Sequence, residues 1–285
     1  MNLDALPPLR DVIAAHGLGA NKAFGQHFLL DLNLTGKIAS LAGDMSAAHA
    51  VEIGPGPGGL TRAILAAGAK TLTVIEKDSR FLGALGEIGT ASGGRLDIIE
   101  ADALKVDEDA SLPRDGARII LSNLPYNVGT LLLIKWLEAE PVWWSRAVLM
   151  FQREVADRVV AAPGTKAYGR LAVISQARCD VRMGLKVPAR AFTPPPKVDS
   201  AVVVLDPLPD DKRFADVEAL GIVTASAFGQ RRKTLRRSLA QAAGQTNASA
   251  EDLLIAAGID PGARAETVDV AGFRRLAEAW RAAKG

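Results

Sequence analysis

The stretch Val51-Glu52-Ile53-Gly54-Pro55-Gly56-Pro57-Gly58-Gly59-Leu60-Thr61 constrains this chain more than any other. It begins in an apolar, β-rich run and ends in a helical one. Glycines at such a junction let the backbone turn tightly and approach a ligand, while the first turn of the helix offers unpaired N–H groups. On its own the loop also fits a tight strand-to-helix turn that holds nothing, or a nicotinamide dinucleotide site.

The surroundings narrow the choice. Residues 50–53, 71–75, 96–99 and 118–121 read as buried strands, with helical segments at 60–67 and 79–88 between the first three. That alternation predicts a largely parallel sheet covered on both faces. Later β-rich runs at 147–151, 181–187 and 198–205 are expected to complete it. Asp206-Pro207-Leu208-Pro209-Asp210-Asp211 reads as a linker. The expected organisation is an N-terminal helical and loop extension (1–47) covering the site, a Rossmann-like α/β domain (48–205) and a small all-α domain (206–285).

Acids stand at the predicted strand ends. Glu76 ends the second strand, 22 residues after Gly54, where a carboxylate would accept ribose hydroxyls. Asp102 follows the third strand, where it could accept a hydrogen bond from an adenine amino group. Either acid alone fits a helix cap or a solvated strand end equally well. Together with the loop they occupy the edge at which open α/β sheets bind ligands.

The fourth strand runs into Ser122-Asn123-Leu124-Pro125-Tyr126. An exocyclic amine of a base is a poor nucleophile because its lone pair is delocalised into the ring. The Asn123 side-chain oxygen and a nearby backbone carbonyl, that of Leu124, would accept its two hydrogens and turn the lone pair toward an electrophilic methyl. Pro125 fixes the turn and Tyr126 offers a stacking face. A loop flanked by acids, Glu52 included, suits a donor without pyrophosphate. The set therefore implies S-adenosyl-L-methionine, with S-adenosyl-L-homocysteine as product, and needs no metal.

Composition excludes other classes. The chain has 285 residues, 48% hydrophobic and 23% charged, as in ordinary globular proteins. A single cysteine, Cys179, leaves no intramolecular disulfide and no Cys-built zinc site. No apolar run reaches the ~18 residues of a membrane span, and residues 1–15 do not read as a secretory signal, so a cytoplasmic, membrane-free protein is expected. Thirty-four basic and 32 acidic residues give a net charge of only +2. Yet residues 230–237 hold Arg231, Arg232, Lys233, Arg236 and Arg237 and no acid. Such a run is commonly a solvated helix face; here it favours phosphate contact. Arg153 and Lys197 are weaker candidates of the same kind. Trp136, Trp143, Trp144 and Trp280 read as packing residues.

With these motifs in view, the chain resembles the small-subunit rRNA adenine N6,N6-dimethyltransferases. The resemblance runs through residues 22–29 (Lys-Ala-Phe-Gly-Gln-His-Phe-Leu), the glycine loop, residues 123–126, 152–158 and 168–171, Phe192 to Val203 and Phe228 to Leu239. It implies a Rossmann-like methyltransferase domain with a helical C-terminal domain. It also implies methylation of two adjacent adenines in the 3′-terminal hairpin loop of 16S rRNA, late in assembly of the immature small ribosomal subunit, by a monomer. Gln26, His27, Phe28 and Leu29 would help cover the donor, His27 standing where the family commonly has Asn. Donor contacts carry over to Leu29, Gly54, Glu76, Asp102 and Asn123. Base-holding roles carry over to Asn123, Leu124, Tyr126 and Phe192, the last stacking on the second face of the adenine. A large-subunit rRNA adenine methyltransferase and a non-catalytic assembly factor share parts of this pattern. The Phe228–Leu239 segment and the long helical tail favour the small-subunit family, and the intact glycine loop with Glu76, Asp102 and Asn123 favours an enzyme.

Overall fold

A computed structural model describes residues 3–20 and 26–285. Lys22, Ala23, Phe24 and Gly25 of the motif above lie outside the described residues. The chain divides into two compact units, residues 1–156 with 182–206 and residues 157–181 with 207–285.

The first unit is built on β1 (Phe28–Leu29), β2 (Ala48–Ile53), β3 (Thr71–Glu76), β4 (Leu96–Glu100), β5 (Ala117–Asn123), β6 (Arg146–Gln152), β7 (Cys179–Val187), β8 (Phe192–Thr193) and β9 (Ser200–Pro207). Seven of these form one sheet in the order β4-β3-β2-β5-β6-β9-β7. β4, β3, β2, β5 and β6 run parallel to one another, and β9 runs antiparallel to β6. Every residue of β2 is buried, as expected of a central strand covered on both faces. The strand order reverses at β2 and β5. Connections leave those two strands in opposite directions, opening a crevice beyond their C-terminal ends. All four strands read from the front half of the sequence are present, as is the parallel α/β class.

β1 and β8 form a separate antiparallel ribbon pairing Phe28 with Thr193 and Leu29 with Phe192. It carries the cover segment to the sheet. At Gly59, a Cβ atom would stand 2.3 Å from the Leu29 carbonyl oxygen. Only glycine allows the start of helix Gly59–Ala66 to lie this close to β1.

The second unit is helical. Helices Arg170–Arg178, Val217–Gly229 and Val270–Lys284 contact one another. The Tyr168 hydroxyl donates to the Val268 carbonyl at 3.0 Å, and Trp280 Nε1 donates to that of Ala242 at 2.8 Å. This division differs from the expected 1–47, 48–205 and 206–285. Residues 1–47 group with the sheet, and 157–181 group with the helical C-terminal part. The physical reason for the latter is the Arg170–Arg178 helix. That helix, with Ala172, Val173, Ile174 and Ala177 buried, packs against Val217–Gly229 and Val270–Lys284, and Arg178 donates to the Phe214 carbonyl at 2.7 Å. Among the described residues no helix is long and apolar enough to cross a membrane.

Candidate methyl-transfer site

The crevice at the ends of β2, β3, β4 and β5 holds a cavity of about 440 Å³. Its wall includes Gln26, His27, Leu29, Glu52, Gly54, Gly56, Glu76, Asp102, Asn123, Leu124, Pro125 and Tyr126. Residues singled out in the sequence from Gln26 to Tyr126 thus share one wall.

Local geometry explains why they meet. Gly54 turns out of β2 with φ +63°, its Cα facing the Pro125 ring, which a Cβ would meet at 3.3 Å. The Ser122 hydroxyl donates to the Ile53 carbonyl at 2.7 Å, tying β5 to the root of the glycine loop. Gly58 caps the next helix without a side-chain hydrogen bond, so no side chain competes for its first amides.

Glu76 is almost fully buried. One carboxylate oxygen accepts from the Gly56 amide at 3.1 Å, the other from the Asp78 amide at 2.8 Å. Each oxygen has a second lone pair left for a ligand. Burial raises the Glu76 carboxyl above its ordinary range, with its backbone hydrogen bonds opposing the rise. Asp102 is partly exposed and pairs with Lys77 at 2.9 Å, which lowers its carboxyl. It also accepts from the Leu104 amide at 3.1 Å, which shapes the wall after β4.

Glu52 is 2% exposed and accepts from the Thr61 hydroxyl at 2.6 Å. Burial pushes it up to about 8; the Thr61 bond opposes this and Glu76 adds to it. The folded protein therefore keeps a proton on Glu52 over a range where the unfolded chain, ionising near 4.5, has lost it. The native state binds more protons in that window, so this group makes stability fall as pH rises from about 4.5 to 8, by up to ~1.4 kcal/mol per pH unit. Glu52→Gln should gain on the wild type steadily between pH 5 and pH 8 in denaturant unfolding. Parallel pH profiles for the two proteins would refute the assignment.

On the β5 side, the Asn123 side-chain amide has no hydrogen-bond partner among the described residues. The turn behind it is rigid: Val128 and Gly129 amides both donate to the Pro125 carbonyl, at 3.1 and 2.9 Å. The Tyr126 hydroxyl is 2.9 Å from Ser200 Oγ, and burial raises its pKa, so it stays a neutral phenol. His27 Nδ1 lies 2.7 Å from the Pro194 carbonyl oxygen. A carbonyl only accepts, so Nδ1 carries the hydrogen and Nε2 is left for another partner. The His27 ring is 5.8 Å from that of Tyr126.

Phe192 is not among the lining residues. It is 2% exposed and meets the His27 ring edge-on at 6.5 Å, so it contacts the site through that imidazole. The basic run lies in the helical unit, on a turn and the short helix Leu235–Ser238 rather than on one long helix face. Arg231 donates to the Thr165 carbonyl at 3.2 Å, and Arg236 is 3.6 Å from Glu251. Arg232, Lys233 and Arg237 are exposed and have no ion-pair partner among the described residues.

Sequence reasoning missed Asp78, which accepts from Gln26 at 3.1 Å and is held down to about 2 by Arg80. Its signal was an acid one residue before a helical start, a capping pattern. It also missed Lys77 as the partner of Asp102.

Comparison with known proteins gives the family. A family model described as "Ribosomal RNA adenine dimethylase" matches residues 17–281. The chain is 72% identical over 283 residues to ribosomal RNA small subunit methyltransferase A of Maricaulis maris, covering 99% of this chain and 98% of the relative. It is 55% identical to the protein of the same name from Jannaschia sp., over 96% of this chain and 94% of the relative. A dimethyladenosine transferase from Plasmodium falciparum superposes with a TM-score of 0.74 at 26% identity, covering 88% of this chain and 96% of the other. The 23S rRNA methyltransferase ErmE does so at 0.65 and 25% identity, over 89% and 99%. The match spans both units and includes the crevice with its acids and Asn-Leu-Pro-Tyr turn, and the chain belongs to the ribosomal RNA adenine dimethylase family.

Proposed function

We propose that this protein transfers methyl groups from S-adenosyl-L-methionine to N6 of two adjacent adenines in the 3′-terminal hairpin loop of 16S rRNA. The observation that carries this reading is the Asn123–Tyr126 turn opening into the same cavity as Glu52, Glu76 and Asp102.

The cavity fits the donor. Glu76 has lone pairs free for ribose hydroxyls, Asp102 is an ionised acceptor just beyond the end of the neighbouring strand β4, and these two carboxyls suit a cation. When bound, the donor supplies a methyl group on a sulfonium. The chain's own residues do the rest. Asn123 and the Leu124 carbonyl take the two amine hydrogens, which holds the lone pair out of conjugation and toward the methyl. Tyr126, kept neutral and oriented by Ser200, stacks on the flipped base. His27 presents Nε2 beside Tyr126. No strong base is required, because the nitrogen becomes an acidic ammonium on methylation.

The protein works as a monomer in the cytoplasm on the immature small subunit, and the exposed cations Arg232, Lys233 and Arg237 take its phosphates. Replacing all three by alanine should weaken subunit binding about tenfold or more at moderate salt. It should also lower the slope of log K against log [salt] by about 2, while S-adenosyl-L-homocysteine affinity stays unchanged. Filter binding across a salt series checks this; an unchanged slope would remove these residues from the interface. The function itself is tested with methyl-labelled donor and unmethylated small and large subunits in parallel. Label is expected in the small subunit. Label confined to the large subunit would overturn the reading.

A further inference from the structure

Lys135 and Glu108 have no part in the site as described so far, yet they join its two halves. Helix Gly129–Glu138 starts where the Asn123–Val128 turn ends, and Lys135 sits in its second turn. Its ammonium donates to the Ala103 carbonyl at 2.9 Å, to the Val106 carbonyl, and to Glu108 Oε2 at 2.7 Å. Those three acceptors use all three ammonium hydrogens. Glu108 is 2% exposed, and its other oxygen accepts from Trp136 Nε1 at 3.0 Å. Ala103 lines the cavity between Asp102 and Leu104, both of which line it too. One cation therefore straps the donor-side wall to the helix that begins with the target-base turn.

We propose that Lys135 is a positioning residue for methyl transfer: anchored by Glu108, it holds the Asp102–Leu104 wall at a set distance from the Asn123–Tyr126 turn. This rests on the methyltransferase reading above. Transfer requires the methyl carbon and the attacking nitrogen to approach within a narrow range, so a wall and a turn free to shift separately would lose alignment. The other ties of the segment 101–107 are internal or run toward β3: Asp102 holds the Leu104 amide, the Lys105 amide donates to the Asp102 carbonyl at 2.8 Å, the Ala101 amide donates to the Glu76 carbonyl at 3.0 Å, and Lys77 pairs with Asp102 at 2.9 Å. Only the Lys135 bonds, among those of the described residues, fix it to the helix that follows the Asn123–Val128 turn.

The test uses the full chain and the double variant Lys135→Met/Glu108→Gln. It removes the strap without leaving a buried charge unpaired, and the Gln oxygen still accepts from Trp136. Three readouts are compared with wild type: hydrogen exchange of amides 101–107, calorimetric affinity for S-adenosyl-L-homocysteine, and kcat and KM for the donor. Exchange at 101–107 is expected to quicken about tenfold, with β2 and β5 amides unchanged. Product affinity should fall about fivefold, and kcat/KM about tenfold or more. A merely structural role would instead speed exchange throughout the unit and leave the affinity of the folded fraction unchanged. Lys135→Gln, which keeps an uncharged donor, should show the same order of effects at smaller size, and decides the matter if the double variant does not fold. Exchange and affinity within twofold of wild type in the folded variants would overturn the proposal. A wild-type protein that fails to methylate small subunits would instead count against the function proposed above.

Discussion

Replacing Asn123 by alanine is expected to lower methyl transfer by about a thousandfold or more, roughly 4 kcal/mol of transition-state stabilisation. The side chain ends β5 at the cavity wall and its amide has no partner among the described residues. Nothing in the fold depends on that amide, so the thermal midpoint should stay close to wild type. The loss belongs to kcat, because the oxygen acts as charge develops on the target nitrogen. Asn123→Asp is the sharper comparison: it keeps an acceptor oxygen but brings a further acid to a wall that already holds Glu52, Glu76, Asp78 and Asp102. Single-turnover assays with unmethylated small subunits measure the effect, and undiminished transfer by the alanine variant would contradict the assigned role.

The second large effect is expected at Glu76. Glu76→Ala removes the acceptor of the Gly56 and Asp78 amides. A buried donor at Gly56 and a half-buried one at Asp78, left unpaired, cost about 1–3 kcal/mol each. The same change deletes the oxygens available to a ribose. Stability should therefore drop by about 2–5 kcal/mol, and S-adenosyl-L-homocysteine affinity by about a hundredfold or more, near 3 kcal/mol. Glu76→Gln keeps one acceptor and should recover much of the stability but little of the affinity, since its amide cannot serve both backbone donors and a diol. Denaturant unfolding paired with calorimetry separates the two losses. An alanine variant that is destabilised yet binds product normally would show that Glu76 only supports the loop.

What the sequence disclosed follows from how local each feature is. β2, the glycine loop and the following helix were readable because periodicity and glycine placement act within a dozen residues. Glu76, Asp102 and Asn123 were readable because each ends a strand, and parallel strands bring their ends to one edge. The long-range features were not. β1 pairs with β8 across more than 160 residues, which places Phe192 against His27 and off the cavity wall. The Arg170–Arg178 helix left the sheet unit because its apolar face found the C-terminal helices, and no linker marks that departure. The ties of Lys135 to Ala103, Val106 and Glu108 depend on side chains meeting across a crevice, with nothing in the spacing to announce them. The near-neutral charge was also an average: acids gather in the cavity and cations between 231 and 237.

The central claim is tested most directly by nucleoside mass spectrometry of small-subunit rRNA after incubating unmethylated subunits with this protein and S-adenosyl-L-methionine. The function proposed above predicts two N6,N6-dimethyladenosines per subunit at adjacent positions, both lost with Asn123→Ala. Absence of dimethyladenosine with the wild-type protein, or methylation on another atom or base, would contradict the account.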